Sequence, residues 1–384
     1  MNEHFDDAVV GAGILGLAHA FQLGRRGRRV VVIERSARAT GASIRNFGMI
    51  WPIGQPSGPQ RELALRSRTI WLHCLAEAGI WHDRCGSLHL AYEDDEAQVL
   101  REFVDREHQA PSEFGAALEL VDAAEVTRRV PMVRTDGLKC ALASPSEICV
   151  DPREVIAGLP QWLEQSYGIR FVWQTTALGY ERPNVQTTAG RFSADRLWVC
   201  AGDDLQTLYP ESFAVLGLLR CKLQMMRTSP TERGVRIGPM LAAGLTLRHY
   251  RAFEGCPSLA ALRARFAREI PEADTYGIHV MTSQNGRGEV ILGDSHEYDD
   301  RISPFDRAEI ESIILHYLAT FLRLDALPAI AERWHGIYVK HPTEPWTITA
   351  PQPGVTAVTG LGGAGMTLSM GLAERVVADV LGGE

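Results

Sequence analysis

The sequence predicts an α/β protein in two parts: a parallel sheet with helices, and a second, mainly antiparallel sheet with flanking helices. Three observations predict it. Residues 6–36 run strand, glycine turn, helix, strand. Residues 216–300 hold short apolar runs of strand length, the last two joined by Asn285-Gly286, a hairpin turn pair. A second glycine cluster, Gly360-x-Gly362-x-x-Gly365, opens a helical pattern near the C-terminal end.

The 384 residues carry 39 Lys plus Arg against 47 Asp plus Glu, a formal charge of −8. That excludes a free-standing basic nucleic-acid binder. Hydrophobic residues at 45% and charged residues at 22% suit a folded chain rather than a disordered one. At roughly 150 residues per domain, the length suits two or three domains. The seven cysteines, Cys74, Cys85, Cys140, Cys149, Cys200, Cys221 and Cys256, are odd in number and include no CxxC pair. They form neither a disulfide framework nor a zinc spacing, and a reducing, cytoplasmic setting is expected. The acidic start MNEHFDD lacks the positive region of a secretory signal. The longest apolar stretch, Ala8 to Ala18, falls short of the roughly 20 residues that span a bilayer, so no membrane span is expected.

Ala8-Val9-Val10 is a strand, followed by Gly11-x-Gly13-x-x-Gly16, a helix to about Gly24, and a strand from Arg29 to Ile33 that ends at Glu34. This is the Rossmann-like dinucleotide-binding pattern in its proper context. Gly11 allows the tight turn, Gly13 the approach of backbone to a pyrophosphate, and Gly16 close helix–strand packing. The helix N-terminus then faces phosphate. Glu34 is placed to accept from ribose hydroxyls. An acid there argues against a 2′-phosphate, which favours FAD or NAD over NADP. Arg35 suits stacking on adenosine, or simple solvation.

Next comes a loop of small residues, 37–55, with Arg45 and Asn46 in its middle. Helices are predicted over 60–80, within 94–130, over 150–167 (opened by Asp151-Pro152) and over 304–325. Strands are predicted at Leu88 to Tyr92, Ile169 to Trp173, and Arg196 to Gly202, with a hairpin over 185–192. Further strands are expected near 219–227, 245–250, 277–283 and 289–293. The C-terminal Gly360–Gly365 turn leaves too few residues for a return strand with its own acid. It is better explained as a glycine-lined helix N-terminus that packs against a bound cofactor and favours negative charge there.

These pieces, in this order and over nearly the whole chain, resemble the FAD-dependent oxidoreductases of the D-amino-acid oxidase, glycine oxidase and sarcosine oxidase type. The residues that carry the likeness are DAVVGAGILGLAHAFQLGRRGRRVVVIERS, TGASIRNFGM, WVCAGDD, GRGEVILGDSH, RWHGIY and TGLGGAGMT. In finer detail GASIRNFGMIWPIGQ, GIHVMTSQNGRGEVILGDSHEYDD, ERWHGIYVKHP and GLGGAGMTLSMGLAE resemble a clade associated with aminophosphonate breakdown. The likeness implies a discontinuous FAD-binding domain (1–85, 146–216 and 334–384) and a substrate-binding domain (86–145 and 217–333). It implies that Gly11, Gly13, Ile14, Leu15 and Gly16 hold the FAD pyrophosphate, with Glu34 and Arg35 at the adenosine. Ala42, Ser43, Arg45, Asn46, Phe47, Gly48 and Met49 would form the loop beneath the flavin. Thr176 and Ala177 would meet adenine, and Ala201 and Gly202 would close over the nucleotide. Leu361, Gly362, Gly363, Ala364, Gly365, Met366 and Thr367 would lie beside the flavin pyrimidine ring.

One departure is informative. Where the amino-acid oxidases of this family carry Gly-Leu-Arg-Pro, with an arginine that grips the substrate carboxylate, this chain has Gly336-Ile337-Tyr338-Val339. A guanidinium–carboxylate fork is unavailable at Tyr338. A substrate with a different anion, such as a phosphonate, fits better. Arg45, Arg248, Lys340 and His341 are candidates to hold it. No cysteine stands at 336–341, where sarcosine oxidases link their flavin, so non-covalent FAD is expected.

Flavin amine oxidation needs position and a neutral amine more than acid–base machinery. Tyr338, His279 and Arg45 are therefore the candidate catalytic residues, and Tyr250, Arg248, Lys340 and His341 the candidate substrate contacts. His279 is otherwise a packed histidine, Tyr250 a packed strand aromatic, and Arg45 a loop brace. On a strand Arg248, His249 and Tyr250 alternate between faces, so at most one face of 248–250 would point inward. His296 is expected in a hydrated loop, with a supporting place behind the site as the alternative, and the run Glu93 to Glu96 at a solvated helix start. The expected function is FAD-dependent oxidation of a small amine, a 2-aminoethylphosphonate-like compound before glycine, sarcosine or a D-amino acid, with O₂ or another acceptor taking the electrons. A flavin-binding subunit with little turnover of its own is the alternative from another class.

Overall fold

In the computed structural model, which describes residues 3–110, 112–231, 236–299 and 301–382, the strands His4–Val10, Val30–Ile33, Arg170–Val172 and Gly190–Val199 lie parallel. Val355–Thr359 extends this sheet on the far side of Gly190–Val199, and the hairpin strands Ala177–Glu181 and Asn184–Thr187 complete its edge. Both faces are covered, as an all-apolar strand such as Val30–Ile33 requires. Val9, Val30 and Val32 pack under the helices Ile14–Gly24, Pro59–Glu77, Pro152–Tyr167 and Gly365–Gly382. Ala8, Val31 and Ile33, one residue out of phase, pack on the other face against Tyr180, Leu208 and Phe213. The Asp151-Pro152 signal holds: Asp151 accepts from the N–H groups of Arg153 and Glu154 and caps that helix.

The second sheet runs in the order Glu297–Tyr298, Leu219–Thr228, Val290–Gly293, Met281–Gln284, Met240–Ala242, Ser87–Ala91, Cys140–Ser144, Glu119–Val121. Its pairs are antiparallel except Met240–Ala242 with Ser87–Ala91. Asn285 makes the expected hairpin and ties it to the first part, donating to Asp151 and Glu289 at 2.8 and 2.7 Å. A small third sheet joins Met49–Ile50, Ile148–Val150 and His82–Asp83.

Four expectations are corrected. Residues 245–250 are no strand; Gly244–Leu247 is a short helix whose consecutive residues are all buried. Leu245 N–H donates to the Tyr317 hydroxyl and the Thr246 hydroxyl to Val280 C=O, which fixes the turn from both sides. Trp334–Lys340 belong to the strand Ile330–Lys340, which pairs along its length with Leu219–Thr228. The chain therefore returns to the first sheet after Lys340, not before Trp334. Glu96 is buried although its neighbour Asp94 is exposed: it closes a capping box and bonds Arg265 at 2.7 Å. His296 is buried too, for reasons that belong to the site.

Two core histidines give a pH prediction. His19 bonds Leu15 C=O at 2.7 Å, and His89 packs against Trp51 and Phe253. Burial lowers them to about 4 and about 3. Each stays neutral when folded and takes up a proton when unfolded once pH falls below its ordinary 6.5. Stability is therefore full above that pH. It falls by about 1.4 kcal/mol per pH unit for each histidine as pH drops toward the folded value. The buried carboxyls Asp7, Glu96 and Glu147 are raised by desolvation and act in the opposite sense. The difference between parent and His89→Leu in urea unfolding between pH 7 and pH 5 isolates one histidine. The variant should show the shallower loss; equal slopes would refute the assignment.

Candidate functional site

A cleft opens at the carboxyl ends of His4–Val10, Val30–Ile33 and Gly190–Val199, where a doubly wound sheet binds its ligands. Gly11 turns there with φ +97°, and a Cβ on it would stand 2.5 Å from Cys200 C=O. Gly16 packs behind the turn, where a Cβ would stand 1.8 Å from the Gly11 oxygen. The helix starts with Leu17 N–H on Gly13 C=O, so the N–H groups of Leu15 and Gly16 precede its first internal bond. Ile14 N–H donates to Ser43 Oγ at 3.0 Å. Glu34 accepts from the N–H groups of Ala12 and Ser36 at 2.9 and 3.0 Å. A carboxylate has about four acceptor positions, which leaves room for a ligand hydroxyl.

Gly11, Gly13, Ile14, Leu15, Glu34, Arg35, Ala42, Ser43, Thr176, Ala177, Ala201, Gly202, Leu361, Gly362 and Gly365 all line this cleft. Arg35 is paired with Asp204 at 2.9 Å. A second cavity of about 600 Å³ shares Ile14, Ala42, Ser43, Tyr338, Leu361 and Gly362 with the cleft as common walls. A ligand seated at the glycine turn can therefore extend one arm into it. Arg45, Asn46, Phe47, Met49, Gly363, Ala364, Met366 and Thr367 line that end. Two of them also brace the loop. Asn46 donates to Ala42 and Ser43 C=O and accepts from Gly48 N–H, while Thr367 Oγ1 accepts from Trp51 N–H. Gly48 is placed behind the loop by that bond rather than on the cavity wall. The glycine cradle, the helix N-terminus and the acid at the strand end fit FAD.

The second cavity is enclosed by Tyr250, Tyr298, Tyr338, His249, His279, His296 and Asp294, with Lys340 and His341 at its side. Tyr338 is 9% exposed, stands opposite Cys221 in the sheet, and is pushed well above the ordinary phenol range by burial. Lys340 Nζ lies 5.4 Å from the centre of the Tyr298 ring. His341 accepts through Nδ1 from the N–H groups of Thr343 and Glu344. Arg45 lines the cavity, but its guanidinium donates to His335 C=O at 3.0 Å, the bracing alternative. Arg248 is not brought to this cavity. It pairs with Asp274 and faces a separate recess.

Sequence reasoning missed the histidine cluster. The rings of His249 and His279 stack with centroids 3.8 Å apart, and His296 lies 4.6 and 4.9 Å from them. Because residues 245–250 form a helical turn, His249 and Tyr250 both reach the cavity, which alternation on a strand would have forbidden. His249 borders open space on two sides yet is surrounded by protein, so it is exposed by area and desolvated in effect. Burial lowers all three imidazoles, His296 to about 4, and raises the Asp294 carboxyl well above its ordinary range. The signal available in the sequence was the spacing His279…His296 around a hairpin, which brings both to one sheet edge.

A family model described as FAD dependent oxidoreductase, DAO, matches residues 6–379. Glycine oxidase of Geobacillus kaustophilus is 26% identical over 215 residues, 53% of this chain and 55% of that protein. Monomeric sarcosine oxidase of Bacillus sp. is 25% identical over 214 residues, 53% of this chain and 52% of that protein. The matches thus span about half the length of these curated relatives. The structure of L-proline dehydrogenase from P. horikoshii superposes with TM-score 0.80 at 19% identity, covering 100% of this chain and 95% of that one. That of glycine oxidase from Geobacillus kaustophilus gives 0.78 at 18%, covering 100% and 96%. These likenesses are of fold. Among the described residues no helix is long and apolar enough to cross a membrane. With the glycine cradle at one end of a continuous cleft and a family match from residue 6 to residue 379, the chain belongs to the DAO family of FAD dependent oxidoreductases.

Proposed function

We propose that this chain oxidises a small primary or secondary amine whose anionic group is a phosphonate, a 2-aminoethylphosphonate-like compound in its plain, 1-hydroxy or N-methyl form. The observation that carries this reading is Tyr338, a buried phenol on the wall between the two cavities, with the ammonium of Lys340 two residues on. A phenol and a point charge suit a tetrahedral oxyanion, whereas a planar carboxylate is best gripped by a guanidinium fork. The neutral imidazoles and phenols of the cavity disfavour an ammonium ion and so hold the amine in its neutral, oxidisable form.

Non-covalent FAD held by the residues above supplies the acceptor for a hydride. The amine R–CH₂–NH₂ loses that hydride from its α-carbon and a proton from nitrogen. The imine R–CH=NH then takes up water and releases ammonia, leaving an aldehyde such as phosphonoacetaldehyde. O₂ or another acceptor takes the electrons onward. A second reading, oxidation of glycine, sarcosine or a D-amino acid, is favoured by the names of the matched relatives.

An anaerobic amine panel separates the two. Bleaching of the oxidised flavin band by a phosphonate amine, and not by glycine, sarcosine or D-alanine, is the expected result. Bleaching by the amino acids instead would sink the phosphonate assignment. Flavin that no amine bleaches would favour a subunit without its own turnover.

A further inference from the structure

The histidine cluster contains a contact that hydrogen bonding does not explain. His279 Nε2 approaches Asp294 Oδ1 to 3.0 Å, yet Asp294 Oδ1 has no hydrogen-bond partner and neither does His279 Nδ1. Both side chains are more than nine-tenths buried. His296 Nε2 stands 3.9 Å from the other carboxylate oxygen, while its Nδ1 is held by Gly277 C=O at 3.1 Å. One ligating atom each of His249, His279 and His296 lies within 4.8 Å of the others.

Two groups that share a hydrogen bond point at each other. Two groups that ligate one cation point at a third place, and their atoms end up close but out of line. In a tetrahedral site with metal–ligand distances near 2.0–2.1 Å, neighbouring ligand atoms are roughly 3.3 Å apart. His279 Nε2 stands 3.0 Å from Asp294 Oδ1 and His296 Nε2 3.9 Å from Oδ2, separations on either side of that value with each imidazole beside a different carboxylate oxygen. The third imidazole, His249, has one ligand atom within 4.8 Å of those of His279 and His296. The carbonyl bond at His296 Nδ1 is the kind of outer contact that leaves Nε2 free to ligate.

We infer that His249, His279, His296 and Asp294 form a binding site for a divalent d-block cation of the zinc type in the wall of the second cavity. Three imidazoles and a carboxylate match the donor preference of such ions and exclude calcium and magnesium, which take oxygen ligands. All four residues line the cavity, so an anion or water there can enlarge the coordination shell. The seven cysteines play no part in this site.

Zinc is the probe. The purified full-length flavoprotein, stripped with a chelator, is titrated with Zn²⁺ by calorimetry, and retained metal is counted by elemental analysis after gel filtration. One equivalent per chain is expected. Asp294→Asn and His249→Gln should each weaken binding at least tenfold, and His108→Gln, on a remote helix, should not. Flavin content and circular dichroism confirm folding. If His279→Gln or Asp294→Asn fails to fold, His249→Gln still decides the matter. Zinc retained well below one equivalent, or affinity unchanged in His249→Gln and Asp294→Asn, would overturn the site. Flavin content reads the family assignment separately, so a yellow protein without zinc binding loses the metal site alone.

Discussion

Gly16→Ala is expected to lower FAD retention about 10- to 100-fold while leaving the second sheet folded. The added methyl would stand 1.8 Å from Gly11 C=O and 2.9 Å from its carbonyl carbon, both backbone atoms that no rotamer change can move. The helix Ile14–Gly24 must then shift off the strand His4–Val10, carrying its N-terminal N–H groups away from the turn. Overpacking of this kind costs about 1–3 kcal/mol, and each 1.4 kcal/mol is about tenfold in affinity. The measurement is the flavin-to-protein absorbance ratio after gel filtration, followed by FAD titration of the apoprotein. Folding is read by circular dichroism. A variant that keeps parental flavin content would show that the Gly11–Gly16 packing is not what shapes the cleft.

Arg61→Met is expected to cost about 3–5 kcal/mol of stability. Arg61 and Glu107 are 4% and 2% exposed and form a buried ion pair. Arg61 also donates twice to Gln55 C=O, at 3.1 and 2.9 Å, and its guanidinium lies 4.6 Å from the Phe114 ring centre. Removing one partner leaves the Glu107 charge uncompensated, apart from Arg106 at 3.3 Å. Removing both does not, so Arg61→Met with Glu107→Gln should recover most of the loss. Urea unfolding of the single and double variants measures this. If the double variant is as unstable as the single, the cost comes from lost packing and from the orphaned Gln55 carbonyl instead. Gln55 and Gln60 wall the second cavity, the proposed amine site. The single variant should therefore also raise KM for the amine while flavin content stays unchanged.

Sequence alone determined the fold of the first forty residues and the glycine turn that opens on the cleft. Gly11, Gly13, Gly16 and Glu34 shape it through close backbone packing and a strand end, and both are properties of local spacing. The glycine-led helix Gly365–Gly382 and the Asn285 hairpin were legible for the same reason. Tyr338 was legible as an absence of arginine, a matter of residue type.

Tertiary structure decided the rest. Residues 245–250 alternate in polarity like a strand, but Tyr317 and Val280, distant in sequence, bind their backbone and hydroxyl groups and wind them into a turn. That turn places His249 beside His279 and His296; the hairpin spacing pairs the latter two, but nothing in the spacing brings His249 to them. Whether an arginine in the sequence is a free cation was also decided there. Arg45 is occupied by the His335 carbonyl and Arg248 by Asp274, because in each case folding brings an acceptor to the guanidinium before a ligand arrives.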